Sequence, residues 1–356
     1  MGKVVFAIDT NRTGGAERVI SVLANWFSFH GQEVTVVNAD SDSDFYKLND
    51  CIRVIKLNLL GYDKCTKFVR KILFFIRFFQ KEKPDAVIAF LEAMEVPAII
   101  AGFLTHTKVI TSIRNADIDT STGIHLFRKL FYPHIQGVVF QSNAVRNKKE
   151  YNRVKNAFVI YNPLSRESYA DEPPAAYPDR KKWIVNAGRF VDEKNQALLI
   201  DAFSIFREKH SEYELHIFGE GNLEEDLKKK IQNLELENYI FLDNVQKNIL
   251  KRQRKSMLYV CTSRSEGFPN VIAEAMANGI PVISTDFRPG TVTELIKDKK
   301  NGFLANSHSP QAVAAKMEEA VEMLEKTDCI VKEAVKIRKL LDEDDICRQW
   351  LSVTSL

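Results

Sequence analysis

The chain has 356 residues, 45% hydrophobic and 27% charged, with a net charge of +3. That length exceeds one ordinary core and suits two domains of about 150 residues each, and the composition excludes a disordered chain. The charge is uneven: residues 1–165 hold 22 Lys and Arg against 15 Asp and Glu, which leaves 28 against 32 in the remainder, so the halves carry +7 and −4.

A basic first half points to an anionic partner. The five cysteines, Cys51, Cys65, Cys261, Cys329 and Cys347, are odd in number and widely spread, without metal-ligand spacing. Reduced thiols and a cytosolic chain are the expectation. The opening "MGKVVFAIDT" is too short an apolar run for a secretory leader, and no stretch reaches the roughly 18 apolar residues of a spanning helix.

In chain order, "KVVFAID", a helical segment over 14–30, "EVTVVN", "DAVIAF", "KVITSI", "GVVFQS" and "AFVIYN" alternate short β-branched runs with longer amphipathic ones. That rhythm predicts a parallel sheet wrapped by helices. It stops near Asn162, where "NPLSRESYADEPPAAYPDRKK" reads as a linker, and restarts with "KWIVNAGR", "YELHIFGEG", "YIFLDNV", "MLYVCTS" and "IPVISTD". The predicted fold class is α/β: two tandem Rossmann-like, doubly wound domains with an interdomain cleft. Their spans are 1–165 and 166–335, with a C-terminal helix over 336–356 that packs back on the first domain. Parallel sheets bind ligands beyond the carboxyl ends of their strands, and the motifs fall just after strands.

After the first strand, Gly14 and Gly15 in "DTNRTGGAERVI" open a helix. They either form a plain turn or let backbone N–H groups approach a phosphate; the G-x-G-x-x-G fingerprint of a dinucleotide site is missing. In "NAGRFVDEKN", Arg189 and Lys194 are two loop cations that can converge on a diphosphate or lie solvated. "HIFGEGN" ends a strand on Gly219 and Gly221, giving room for a flat base or a tight strand-to-helix turn.

In "SEGFPNVIAEAMANGIPVIST", Pro269 suits the first helical position and Gly279 the residue past the end, predicting a helix over 269–278. Its N–H groups near Phe268, Asn270 and Val271 are candidate donors to phosphate or sugar hydroxyls. Glu266 and Glu274 bracket that turn, and a carboxylate accepts well from vicinal hydroxyls. The bland reading is two solvated glutamates.

These motifs, in this order, resemble the retaining glycosyltransferases of family 4, which have the GT-B architecture, along nearly the whole chain: "GGAERV", "AGRFVDEKN", "FGEG", "SRSEGFPNVIAEAMANGIPVISTD" and "PGTVTELI". The resemblance implies that Glu266 contacts the donor sugar, Glu274 binds ribose, Arg189 and Lys194 hold the donor diphosphate, and the Gly14–Gly15 loop closes over phosphates and acceptor. It implies transfer with retention and without a metal or other cofactor, the leaving diphosphate being stabilised by Arg189, Lys194 and helix N–H groups. At "TSIRNAD" the chain departs from the family pattern. Arg114 stands where many members carry His, so by this comparison Arg114 or Asn115 either contacts the sugar or acceptor or serves the fold alone.

Two short motifs are read as solvated surface. "DSDSD", Asp40 to Asp44, lacks the Gly and distal Glu of a calcium loop, and "KRQRK", Lys251 to Lys255, has no aromatic platform for nucleic acid. In "KFVRKILFFIRFFQKEK", residues 67–83, Val69, Ile72, Leu73, Phe75, Ile76 and Phe79 form the expected core arc and Lys67, Arg70, Lys71, Arg77 and Lys81 a basic arc. Phe74 and Phe78 fall inside the basic arc, the pattern of a helix meeting an anionic membrane, unless both pack on neighbouring helices. "HLFRKLFYP", residues 125–133, is a second such patch.

The expected function is transfer of a hexose or N-acetylhexosamine from a nucleotide sugar, with UDP the expected nucleotide, to a saccharide acceptor expected to be lipid-linked, in cell-surface polysaccharide assembly. The expected location is cytoplasmic, peripheral to the inner face of the membrane, with no nucleic-acid partner. The alternatives are a nucleotide-sugar epimerase of the same architecture, for which no acid/base set stands out, a catalytically silent binding subunit, and more remotely a nicotinamide oxidoreductase.

Overall fold

The computed structural model describes residues 2–9, 14–39, 47–114, 122–152, 154–244 and 246–355. Asn115 and the "DSDSD" segment lie outside the described residues. The chain divides into two compact units, one of Met1–Pro163 with Asp342–Leu356, the other of Leu164–Leu341.

The first unit is built on seven parallel strands: β1 (Lys3–Ile8), β2 (Glu33–Asn38), β3 (Arg53–Lys56), β4 (Ala86–Phe90), β5 (Val109–Ile113), β6 (Gly137–Phe140) and β7 (Ala157–Val159). Their order is β3-β2-β1-β4-β5-β6-β7. The inner strands are apolar along their length because helices cover both faces. On one side lie α2 (Lys64–Glu82), α3 (Glu92–Thr105) and α4 (Thr122–Phe131), packed around Phe75, Phe79, Met94 and Ile99. On the other lie α1 (Gly15–Phe29) and the terminal helix Glu343–Thr354, around Leu23, Phe27 and Trp350.

The terminal segment is part of this core. Asp342 caps its helix by accepting from the Asp344 and Asp345 N–H groups at 3.0 and 3.3 Å. Trp350 stacks on Phe90 with ring centres 5.8 Å apart, and Trp26 Nε1 donates to Asp344 Oδ1 at 2.7 Å.

The second unit holds six parallel strands: β8 (Lys181–Ala187), β9 (Glu214–Phe218), β10 (Ile240–Asp243), β11 (Ser256–Cys261), β12 (Val282–Thr285) and β13 (Phe303–Ala305), ordered β10-β9-β8-β11-β12-β13. The Pro-rich stretch read as a linker is packed into this unit. Ala170 N–H donates to Asn278 Oδ1 at 3.2 Å, and Asn278 Nδ2 returns a bond to the Ser168 carbonyl at 2.9 Å. Buried Arg180 donates to the carbonyls of Ala175, Ser256 and Gly279. Composition signalled a break in the strand rhythm there, but Tyr169, Ala170 and Arg180 supply enough buried surface to anchor the segment.

In each sheet the strand order reverses once, between β1 and β4 and between β8 and β11. Open parallel sheets bind ligands at such reversals, beyond the carboxyl ends of the strands.

Candidate active site

In the second unit the loop after β8 lies beside the loop after β11, and backbone bonds hold the two together. Arg264 N–H donates to the Glu193 carbonyl at 2.8 Å, and Thr262 Oγ1 donates to the Asn195 carbonyl at 3.0 Å. A third loop joins from beyond β12: Glu266 N–H donates to the Arg288 carbonyl at 3.1 Å, and Arg288 N–H to the Arg264 carbonyl at 3.2 Å. A cis Arg288–Pro289 bond follows.

Within this frame Lys194 Nζ is ion-paired with Glu266 Oε1, both side chains being largely buried. Ser263 Oγ donates to the same carboxylate oxygen at 2.8 Å. A methyl group added at Gly188 would lie 3.6 Å from the Lys194 side chain, so the lysine stem runs over the glycine. Arg189 is exposed, its guanidinium is without a partner among the described residues, and its carbonyl accepts from Gln196 Nε2 at 3.0 Å.

Gly219 and Gly221 serve loop packing. A Cβ at Gly219 would fall 2.1 Å from the Gly188 carbonyl oxygen, and one at Gly221 would fall 2.4 Å from the Phe190 carbonyl oxygen. The close approach they permit is of backbone to backbone, which seats the β8 loop.

The helix beyond the acidic turn runs Asn270–Ala277, with Pro269 at its N-cap and no side-chain cap. Of the three expected donors, Asn270 N–H is spent on the Phe268 carbonyl at 3.0 Å. The turn closes on itself at Pro269. Phe268 is buried, and Val271 is half-buried. Gly279 sits past the helix end at φ +67°, where only glycine is unstrained.

Glu274 is buried in the second turn of this helix. Tyr259, a fully buried residue of β11, feels the charge of both the Glu266 and the Glu274 carboxylates. Burial first, and then the charges of Cys261, Glu266 and Glu274, push its phenol well above the ordinary tyrosine range. Burial and the Glu266 charge likewise raise the Cys261 thiol. Sequence reasoning passed over Ser263 and Tyr259. Their only signal was a place at the end of a strand directly before the acidic turn.

In the first unit, Gly14 is extended at φ −166° at the N-cap of α1, where it offers no side chain to cap the helix. A Cβ there would meet the Glu17 carboxylate at 2.1 Å, so Gly14 leaves room for an acid folded over the helix start, and Gly15 begins the helix. Arg114, directly after β5, is buried. It donates through Nη1 to Asn162 Oδ1, and its carbonyl accepts from Gln141 Nε2 at 2.6 Å.

Residues 13–167 match the model for Glycosyltransferase Family 4, and residues 170–337 match that for Glycosyl transferases group 1. The chain belongs to the family 4 glycosyltransferases.

This glycosyltransferase is 26% identical to the amylovoran biosynthesis glycosyltransferase AmsD of Erwinia amylovora over 329 residues, 90% of each chain. It is 25% identical over 361 residues to a Campylobacter jejuni enzyme named as an α-1,4-N-acetyl-D-galactosaminyltransferase acting on a GalNAc-containing diphospho-undecaprenol saccharide, covering 99% of this chain and 98% of that one. Among solved structures, Anabaena HepE in complex with UDP-glucose superposes with a TM-score of 0.80 at 20% identity over the whole of both chains. A glycosyltransferase from Rickettsia africae superposes with 0.84 at 18% identity, over 99% of this chain and 97% of that one. These likenesses show the GT-B fold.

The outer surface of the glycosyltransferase differs from its expected pattern on α2. Phe78 is 8% exposed and Lys71 5%, so neither faces outward. Lys71 is ion-paired with Asp9 and donates to the Ala93 carbonyl at 3.3 Å. Phe74 is half-buried and stacks on Phe78, ring centres 5.4 Å apart. Val69 and Leu73, expected in the core, are 52% and 48% exposed.

The rotation has a cause. A phenylalanine ring has more apolar area to bury than an aliphatic side chain, and the side carrying Phe75, Phe78 and Phe79 turns inward. Arg70 and Arg77 remain exposed, Arg70 lying 4.0 Å over the Tyr62 ring, while Lys67 is half-buried. Among the described residues no helix is long and apolar enough to cross a membrane.

Proposed function

We infer that this enzyme transfers a hexose or N-acetylhexosamine, with retention of anomeric configuration, from a UDP-sugar to a lipid-linked saccharide. The observation that carries this reading is the Lys194–Glu266–Ser263 cluster at the β8/β11 reversal, the place where a parallel sheet presents ligands. The HepE complex with UDP-glucose and the acceptor named for the C. jejuni relative support the donor and acceptor classes.

In this reading the donor diphosphate takes Lys194 as a point charge and Arg189 as a fork. Glu266, released from Lys194, accepts from sugar hydroxyls, and Glu274 accepts from the ribose. As the glycosidic bond breaks, the two cations stabilise the departing diphosphate, one of whose oxygens takes the acceptor proton; no metal enters. The first unit, with its Gly14–Gly15 turn and Arg114, receives the acceptor.

The enzyme works at the inner membrane face in the cytoplasm, touching anionic lipid through the surface the helices expose. That surface comprises Phe68, Val69 and Leu73 with Arg70 and Arg77 on α2, and Leu126 and Leu130 with Lys129 on α4.

The test is a panel of nucleotide sugars offered with a diphospho-polyprenyl saccharide in the presence of chelator, with the product linkage read by proton NMR. Transfer from a UDP-sugar with an α-linked product from an α-linked donor is expected. An inverted linkage, or epimerised donor without transfer, overturns the reading.

A further inference from the structure

The carboxyl edge of the first sheet carries a cation whose bonding capacity is only half used. Arg114 keeps 8% of its surface open to solvent. Nη1 is committed to Asn162 Oδ1, whereas Nε and Nη2 are buried with no partner among the described residues. Those two nitrogens form one edge of the guanidinium. Their N–H bonds are parallel and spaced to meet two oxygens of one carboxylate or phosphate. The unused half is therefore a complete bidentate fork.

The surroundings are those of a held cation. The guanidinium lies 4.7 Å from the Phe90 ring centre and 5.6 Å from that of Trp350. Aromatic faces attract such a cation and fix its plane. Burial alone lowers the Arg114 pKa, to about 9, and among the described residues no carboxylate offsets the charge.

Two more buried donors in this neighbourhood lack a partner among the described residues. They are Ser112 Oγ, two residues back on the same face of β5, and Trp350 Nε1. Buried polar groups in folded proteins are nearly always bonded, so a group of unspent donors around one cation calls for an explanation.

We propose that Arg114 binds an anionic group of the acceptor side-on through Nε and Nη2 at the end of β5. The proposal rests on the reading that the first unit receives the acceptor, and it adds the chemistry recognised: a pair of anionic oxygens, from the phosphate of a diphosphate-linked saccharide or the carboxylate of an acidic sugar. A histidine at this position could offer one N–H at a time. The arginine fork offers two in a fixed plane, which favours an anion over a hydroxyl.

The experiment uses the full chain labelled with nitrogen-15 at arginine Nε and saturated with UDP, so that the donor site is filled. The Arg114 Hε signal is identified by its loss in Arg114→Lys, which keeps the charge and removes the fork. Inorganic pyrophosphate is titrated in one arm and glucuronate in the other. A saturable shift of that signal in one arm is expected, with the dissociation constant for that probe raised at least tenfold in Arg114→Lys while UDP binding is unchanged.

If UDP binds and neither probe moves the signal, the proposal is overturned and the transferase reading stands. If UDP does not bind, the underlying reading falls and takes the proposal with it. Should Arg114→Lys fail to fold, Arg114→Gln serves for the assignment and the wild-type titration decides.

Discussion

Lys194 and Glu266, 72 residues apart in the chain, share an ion pair that also draws in Ser263. The pair joins the loop after β8 to the loop after β11, so the two halves of the candidate donor site are linked through the groups that would contact the donor. Lys194→Ala removes the charge opposed to a leaving diphosphate. Loss of kcat by about 10²-fold is expected, the usual scale for one such electrostatic group. Steady-state kinetics at saturating donor checks this, and wild-type turnover would contradict the role of Lys194.

Glu266→Gln keeps an acceptor for Ser263 and removes the charge that pairs with Lys194. Sugar hydroxyls then lose a charged partner, worth about 1.5–3 kcal/mol, so kcat/KM falls by about 10-fold to 10²-fold. Binding of UDP without sugar should hold or tighten, because Lys194 is freed. Calorimetric titration with UDP and with UDP-sugar separates the two effects.

Glu95, buried on α3, accepts two bonds from Arg128 at 3.2 and 3.0 Å and one from the Tyr132 hydroxyl at 2.5 Å. Glu95→Ala strands a largely buried guanidinium, with Glu92 at 3.7 Å as its remaining acid. Breaking one side of such a pair costs about 3–5 kcal/mol. A fall in unfolding free energy of that order, seen as a lower urea midpoint with no change in slope, is expected.

Vesicle binding should follow the faces the helices actually present. Leu73→Ser with Leu130→Ser should lower binding to anionic vesicles by about tenfold, since two exposed aliphatics lose their apolar transfer energy. Phe78→Ser should instead destabilise the fold, by about 3–5 kcal/mol. Sedimentation with vesicles and thermal melts, run side by side, distinguish the two outcomes.

Burial, and then the hydrogen bond to Glu325, push the Tyr177 phenol up to about 12 from 10.0. The folded chain holds this proton when the unfolded chain has lost it. The contribution of Tyr177 is therefore complete below pH 10 and is lost as the pH climbs towards 12. In Tyr177→Phe, stability should fall less steeply across that window, as followed by denaturant midpoints at several pH values.

Most of the α/β pattern was legible because buried parallel strands are continuous apolar runs, as "KVVFAI" and "SMLYVC" are. The edge strands β3, "RVIK", and β13, "FLA", were not predicted. They are short, and β3 is largely exposed, so neither leaves a periodic signal. On α2, periodicity correctly announced an amphipathic helix but misplaced its inward side, because an unweighted arc treats Leu73 and Phe78 as equals. The acidic turn was readable from Glu266, Pro269 and Gly279. Ser263 was not, since a hydroxyl that bonds a neighbour three residues away imposes no spacing on the sequence. Arg114 stood out only by comparison with a family pattern, and its unpaired fork is a matter of side-chain geometry.

Trp350 and its helix come from a segment synthesised after the entire second unit, yet they wall the core beneath Phe90. On the ribosome, residues 2–163 must therefore wait with that wall open while some 180 more residues emerge, although folding usually proceeds from the N-terminus at the pace of translation. Nascent chains of this enzyme should accordingly depend on chaperones for longer than their first seven strands alone would suggest.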